Sequence, residues 1–154
     1  MGNTHSVSNS STLSLKHVDE ARSAILAFFN APPDYTVVFT ANASGALKLV
    51  GEAYPFTRES TYVLGTDSHN SVHGIREFAA SRGASVVYIP STDQGGFELG
   101  VAQAVLNQCQ PRKEDIANTK SKSLFAITGQ SNITNTKNPL SAIQYAASLG
   151  YNTL

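Results

Sequence analysis

Short, uninterrupted apolar runs alternate with longer segments in which apolar residues recur every three or four positions, and this alternation constrains the chain more than any other feature. The short runs are TVVFT (36–40), TYVLG (61–65), SVVYIP (85–90) and SLFAIT (123–128), and YNTL (151–154) begins another. Each is rich in β-branched and aromatic residues, and none alternates with polar ones. A strand exposed on one face alternates, whereas a strand covered on both faces reads as continuous apolar sequence. The longer segments are 15–30, 42–54, 70–83, 97–110 and 140–150. Val18, Ala21 and Ile25 share one helical face in the first, Ala46, Leu47, Val50 and Ala53 in the second, and Val72, Ile75, Phe78 and Ala79 in the third. Strand and helix in turn, five times over, predict an α/β fold of three αβα layers around a mostly parallel sheet. The segment APPD (31–34) stops the first helix, and the polar stretch PRKEDIANTKSK (111–122) reads as a connection. Residues 1–14 are rich in Ser, Asn and Thr without a clear period and read as an N-terminal arm. Residues 15–154 form one domain.

Composition narrows the function classes. The chain has 154 residues, 41% of them hydrophobic, which suffices for one ordinary core. Eleven basic and eleven acidic residues give zero formal net charge, so there is no basic patch to argue for nucleic acid or a membrane surface. No apolar run approaches a membrane span. Cys109 is the single cysteine, which excludes an intrachain disulfide and fits a reducing, cytoplasmic setting.

Three polar clusters follow apolar runs, where ligands bind in open α/β sheets. In VVFTANASGAL, small residues lead into a helix start whose N–H groups, with the hydroxyl of Ser44, can cradle an anion; an ordinary N-cap by Asn42 or Ser44 is the alternative. No Gly-Lys-Ser/Thr phosphate loop is present. In TDSHNSVHG, His69 and His73 are spaced to share one helical face. They could bind a metal with Asp67, serve a hydrolase, or be a loop and a helix histidine. His69 could also lie flat on an aromatic ligand. The zincin pattern needs glutamate where Asn70 stands. In TGQSNITNTKNP, Gln130, Ser131 and Asn132 emerge at the same sheet edge if the strands are parallel.

FTANASGALKLVGEAYPF, DSHNSVHGIREFAASRGA and FAITGQSNITNTKNPL, in this order, resemble the molybdenum cofactor sulfurases and their relatives in the class V aminotransferase and cysteine desulfurase superfamily. GNTHSVSNSS and ARSAILAFFNAPPDYTVVFT resemble the segments that precede the phosphate loop there, so the resemblance covers nearly the whole chain. It implies a pyridoxal-phosphate (PLP) cofactor and the fold type I architecture, with 15–154 as part of the large domain. It further implies that Ala43 and Ser44 bind the PLP phosphate, that His69 stacks on the pyridine ring, and that Asn132, with Gln130 beside it, lies near the phenolic oxygen. No metal ligand is implied, and His73 has no role in the pattern. Self-association is implied too, because the family is typically homodimeric.

The departures set a second expectation. In the family an aspartate contacts the pyridine nitrogen and a later lysine forms the Schiff base, and both follow the strand that YNTL begins. Lys16, Lys48, Lys113, Lys120, Lys122 and Lys137 do not stand in that context. The sequence therefore reads as a truncated N-terminal portion, inactive in the parent sulfur transfer from cysteine. A non-catalytic binding or assembly role is the alternative. TVVFT, lacking its family neighbours, is expected to find a new pairing, to oligomerise or to expose apolar surface.

Overall fold

The computed structural model describes residues 2–112 and 122–154; most of the polar connection expected at 111–122, with Lys113 and Lys120, lies outside them. The chain forms two compact units, residues 1–40 and 41–154.

In the first unit, helix α1 (Asn9–Phe28) begins six residues earlier than its apolar period suggests, because Ser8 is its N-cap: the Ser11 N–H donates to Ser8 Oγ at 3.2 Å. A stretch without clear period thus supplies the first turns of a helix, since a cap can start a helix before its apolar stripe begins. Residues 36–40, expected as a strand, join no ladder. Val38 and Phe39 are 61% and 52% exposed. What holds this stretch within the unit is Arg22, which donates from Nε to the Val37 carbonyl at 3.3 Å and lies 5.8 Å from the centre of the Phe39 ring.

The second unit holds the sheet. Its elements are α2 (Ala43–Ala53), β1 (Thr61–Gly65), α3 (Asn70–His73), α4 (Ile75–Ser81), β2 (Ser85–Ile89), α5 (Leu99–Gln108), β3 (Leu124–Ala126), α6 (Ser141–Ser148) and β4 (Asn152–Thr153). The strands run in the order β2-β1-β3-β4, all parallel, with Val63 opposite Val87 on one side and Phe125 on the other. The expected helix over 70–83 breaks into α3 and α4 at Gly74.

The uninterrupted apolar strands are explained by two cores. Tyr62, Leu64, Leu124 and Ala126 point to one face, against Leu47 and Val50 of α2, Val72 of α3, and Ile75 and Ala79 of α4. Val63, Ile89 and Phe125 point to the other, against Ala102 and Leu106 of α5 and Ala142 and Ala146 of α6. Successive residues face opposite ways, so the central strands β1 and β3 are apolar and buried on both faces from Tyr62 to Leu64 and from Leu124 to Ala126, whereas β4 at the edge is polar and exposed. Each large side chain fully buried this way contributes about 1.5–3 kcal/mol.

Candidate functional site

All four strands are parallel, so the loops after β1, β2 and β3 leave at one edge. From β1 the chain crosses one face through α3 and α4 to reach β2; from β3 it crosses the other through α6 to reach β4. Connections that diverge from neighbouring strands open a crevice at their C-terminal ends, where ligands bind in such sheets. By this rule the binding edge is expected between the loop carrying His69 and the loop carrying Gln130 and Asn132.

Helix α2 starts at Ala43 because Asn42 caps it, its Oδ1 accepting from the Gly45 N–H at 2.9 Å. At the other end Arg82 donates to the carbonyls of Gly51 at 3.0 Å, Glu52 at 2.6 Å and Tyr54 at 3.3 Å. A cation there complements the negative end of the helix dipole and occupies carbonyls that the helix leaves open. In the same last turn Gly51 faces Phe78, where a Cβ would come within 2.6 Å of the ring. These contacts tie α2 to α4 and so fix where its N-terminus lies.

That N-terminus meets α3. The hydroxyls of Ser44 and Ser71 are 2.5 Å apart. His69 is the N-cap of α3, and its Nδ1 accepts from the Ser71 N–H at 3.1 Å. The Val72 carbonyl, one residue on, accepts from the fully buried Tyr62 hydroxyl at 2.8 Å, which anchors α3 to the core. Ser44, Lys48, Ser71, Gly74 and Phe78 line a depression of about 210 Å³. Lys48 Nζ is 3.6 Å from Glu52 Oε1 one turn along α2.

Across the crevice, the loop after β3 is organised by Asn138, which is 5% exposed. Its Nδ2 donates to the Thr128 carbonyl at 2.7 Å and its Oδ1 accepts from the Phe97 N–H at 2.9 Å. Gly95 and Gly96 adopt positive φ, and a Cβ on either would collide with Thr134 or Thr136, so the loop after β2 interlocks with the loop after β3. Asp67 adds a third strand's loop, accepting from the Gly96 N–H at 2.6 Å.

The sequence-derived residues divide accordingly. Ala43 and Ser44 stand at the start of α2, and Ser44 is linked to His69 through Ser71. Gln130 donates to the carbonyl and side-chain oxygens of Asn135, at 3.3 and 3.2 Å, so its amide is engaged within its own loop. Asn132 is exposed on the same loop. His73 stacks on Tyr88, ring centres 5.7 Å apart, one helical turn beyond His69. No group of three or more His, Cys, Asp or Glu side chains able to hold a metal occurs among the described residues. Ser71 was not singled out by sequence reasoning, although it lies inside the HNSVH stretch. A serine two residues after a histidine is a weak signal, and its partner lies 27 residues away. Asn138 was missed for the same reason: its contact to Phe97 spans 41 residues. Burial raises the Cys109 thiol above its ordinary range, a direction opposite to that of an activated nucleophile.

The fold is that of the PLP-dependent fold type I enzymes. The cysteine desulfurase of Thermococcus onnurineus NA1 superposes with a TM-score of 0.74 at 22% identity, over 96% of this chain and 34% of that one. A serine palmitoyltransferase from S. paucimobilis, described with a bound PLP–myriocin aldimine, gives 0.56 at 16% identity, over 87% and 29%. The chain belongs to the class-V aminotransferase family, whose model matches residues 1–151. Curated relatives are molybdenum cofactor sulfurases; that of Oryza sativa subsp. japonica is 40% identical over 136 residues, which is 83% of this chain and 16% of the relative. The chain thus spans about one-sixth of the length of that relative. No helix among the described residues is long and apolar enough to cross a membrane.

Proposed function

We propose that this chain supplies the phosphate- and ring-binding part of a PLP-dependent sulfur-transfer enzyme of the molybdenum cofactor sulfurase kind, without itself completing the catalytic set. The observation that carries this reading is the Ser44–Ser71 hydroxyl pair, joined to His69 at the crevice edge of a parallel sheet. The Ser44 hydroxyl, the α2 N–H groups and the Lys48 ammonium form a donor set suited to a phosphate. The exposed imidazole of His69 offers a flat face to a pyridine ring. Asn132, with Gln130 beside it, supplies amides on the opposite loop.

PLP, when bound, supplies the electron sink for bond cleavage on an amino-acid substrate. The part played by these residues is to bind and orient. Lys48 would offset phosphate charge, the Ser44 hydroxyl and the α2 N–H groups would donate hydrogen bonds to it, and His69 would set the ring plane. Among the described lysines, Lys16 and Lys48 pair with Glu20 and Glu52 on their own helices. Lys137 stands in a bridge opposite Gln130. These three are exposed, unlike a desolvated amine suited to covalent attachment.

PLP and pyridoxal titrations followed by borohydride reduction and peptide mapping test this. The expected result is weak, phosphate-dependent binding, several-fold poorer for pyridoxal and for Ser44→Ala, with no single modified lysine. Equal binding of PLP and pyridoxal would remove the phosphate role. One stoichiometric PLP–lysine adduct would show that the chain carries its own covalent anchor. A cytoplasmic setting and self-association belong to the same proposal, and sedimentation tests the latter.

A further inference from the structure

We infer that Ser71 is a positioning residue that couples the two halves of this site: its N–H fixes the ring of His69 in one tautomer, and its hydroxyl holds that of Ser44. The inference rests on the reading of Ser44 and His69 as cofactor contacts, and it adds what sets their geometry.

A backbone N–H can only donate. Its 3.1 Å contact therefore requires a lone pair on His69 Nδ1, and the proton of the neutral ring sits on Nε2. N-caps are ordinarily short side chains such as Ser, Thr, Asp or Asn. Here an imidazole takes that place, with the cap backbone at φ −60° and ψ 146°. The cap locks a ring that is otherwise exposed and leaves its Nε2–H as the remaining donor. The same residue sends its hydroxyl across to Ser44, 2.5 Å away. Ser71 inherits its own rigidity from the next residue, because the Val72 carbonyl is held by the buried Tyr62 hydroxyl. One residue on a core-anchored turn thus registers the ring against the phosphate end of α2, without touching the ring's face. A ligand with an anionic group and an aromatic ring, as in a phosphorylated pyridine, uses both ends at once.

The test combines nitrogen NMR of His69 at about pH 8.5, where imidazole is neutral, with inorganic phosphate titrations of the full chain. Wild type is expected to show His69 as the Nε2–H tautomer alone, not the solvent mixture. Ser71→Ala keeps the N–H, so the tautomer should persist. The Ser44 resonances should move, and phosphate affinity should fall about five-fold, the loss of one hydrogen bond of ~1 kcal/mol. Ser71→Thr should restore both. A protonated Nδ1 in wild type, or Ser44 resonances indifferent to Ser71→Ala, overturns the inference. If Ser44→Ala weakens phosphate binding and Ser71→Ala does not, the coupling is wrong while the cofactor reading stands. If the tautomer and the Ser44 response are as expected but phosphate shifts avoid residues 42–46, the positioning stands and the cofactor reading falls.

Discussion

Residues 2–40 and 41–154 both contain amphipathic helices, yet they use their apolar residues in opposite ways. In the second region Val63, Leu64, Ile89 and Phe125 are completely buried between helices and strands. In the first, Ser11 is the only buried residue among those described, while Val7, Phe28, Phe29 and Tyr35 are largely exposed. Helix α1 is held by its Ser8 cap and by surface pairs such as Lys16–Glu20 and Arg22–Asp19. Such pairs contribute a few tenths of a kcal/mol each. The lesson is that periodicity creates an apolar stripe but does not supply its partner. A parallel sheet supplies partners to both faces at once, and the candidate site is built on the region that has one.

The sharpest way to break this contrast is to cut into each region equally. Phe125→Ala should cost about 3–5 kcal/mol, because the side chain leaves a cavity in a closed core. Phe28→Ala, removing an 83% exposed ring, should change stability by no more than about 0.5 kcal/mol. Urea denaturation of both variants measures the difference, and equal costs would mean that the first region has a core of its own.

Alkaline titration probes three wholly or partly buried tyrosines of the second region. Burial pushes the Tyr54 hydroxyl up to about 12 from its ordinary 10.0, partly offset by a hydrogen bond with Asn152, and raises Tyr62 and Tyr151 in the same direction. A raised folded-state value means the neutral form is favoured in the folded chain. This stabilisation is complete below about pH 10 and is lost as pH rises toward 12. Ionisation of Tyr54, Tyr62 and Tyr151, followed residue by residue by NMR, should therefore accompany loss of the β1–β3 amide protection. Ionisation of these three with the amides still protected would contradict it.

Smaller effects sharpen the comparison. Asn138→Ala should cost about 1–3 kcal/mol, because the Phe97 N–H loses its acceptor in a buried position. Asn42→Ala should cost about 1 kcal/mol of the second region's stability. Ser8→Ala removes an equivalent cap from α1 and should appear chiefly as faster amide exchange in its first turn, with a smaller shift of the main unfolding transition.

The contrast also accounts for how much was legible in the sequence. TYVLG and TVVFT are alike in composition, but only the first becomes a strand. A strand is defined by hydrogen-bonded neighbours, and residues 36–40 join no ladder. The burial of β1 and β3 on two faces was readable because a short continuous apolar run keeps all its side chains out of water only when both faces are covered. The break at Gly74 and the start of α1 at Asn9 were not, because both are decided by local hydrogen bonds, at α1 by the Ser8 side chain accepting from the Ser11 N–H. His69 could be placed at the C-terminal edge of a strand, whereas Ser44 was expected to follow a strand at 36–40 that joins no ladder. The residue between them could not be placed, since the Ser44–Ser71 contact joins positions 27 residues apart.

Those separations also order the assembly of the site in time. The Ser44–Ser71 contact closes 27 residues, the Phe97–Asn138 contact 41, and the Thr61–Ser123 contact that aligns β3 against β1 closes 62. Loop-closure entropy rises by about 0.6 kcal/mol for each doubling, and distant contacts slow folding. The half of the crevice formed by α2 and α3 is therefore expected to gain protection before the half carrying Gln130 and Asn132. The anion-binding end of the molecule is then in place while the amide-bearing loop is still searching for β1, an order that pulse-labelled hydrogen exchange during refolding would reveal.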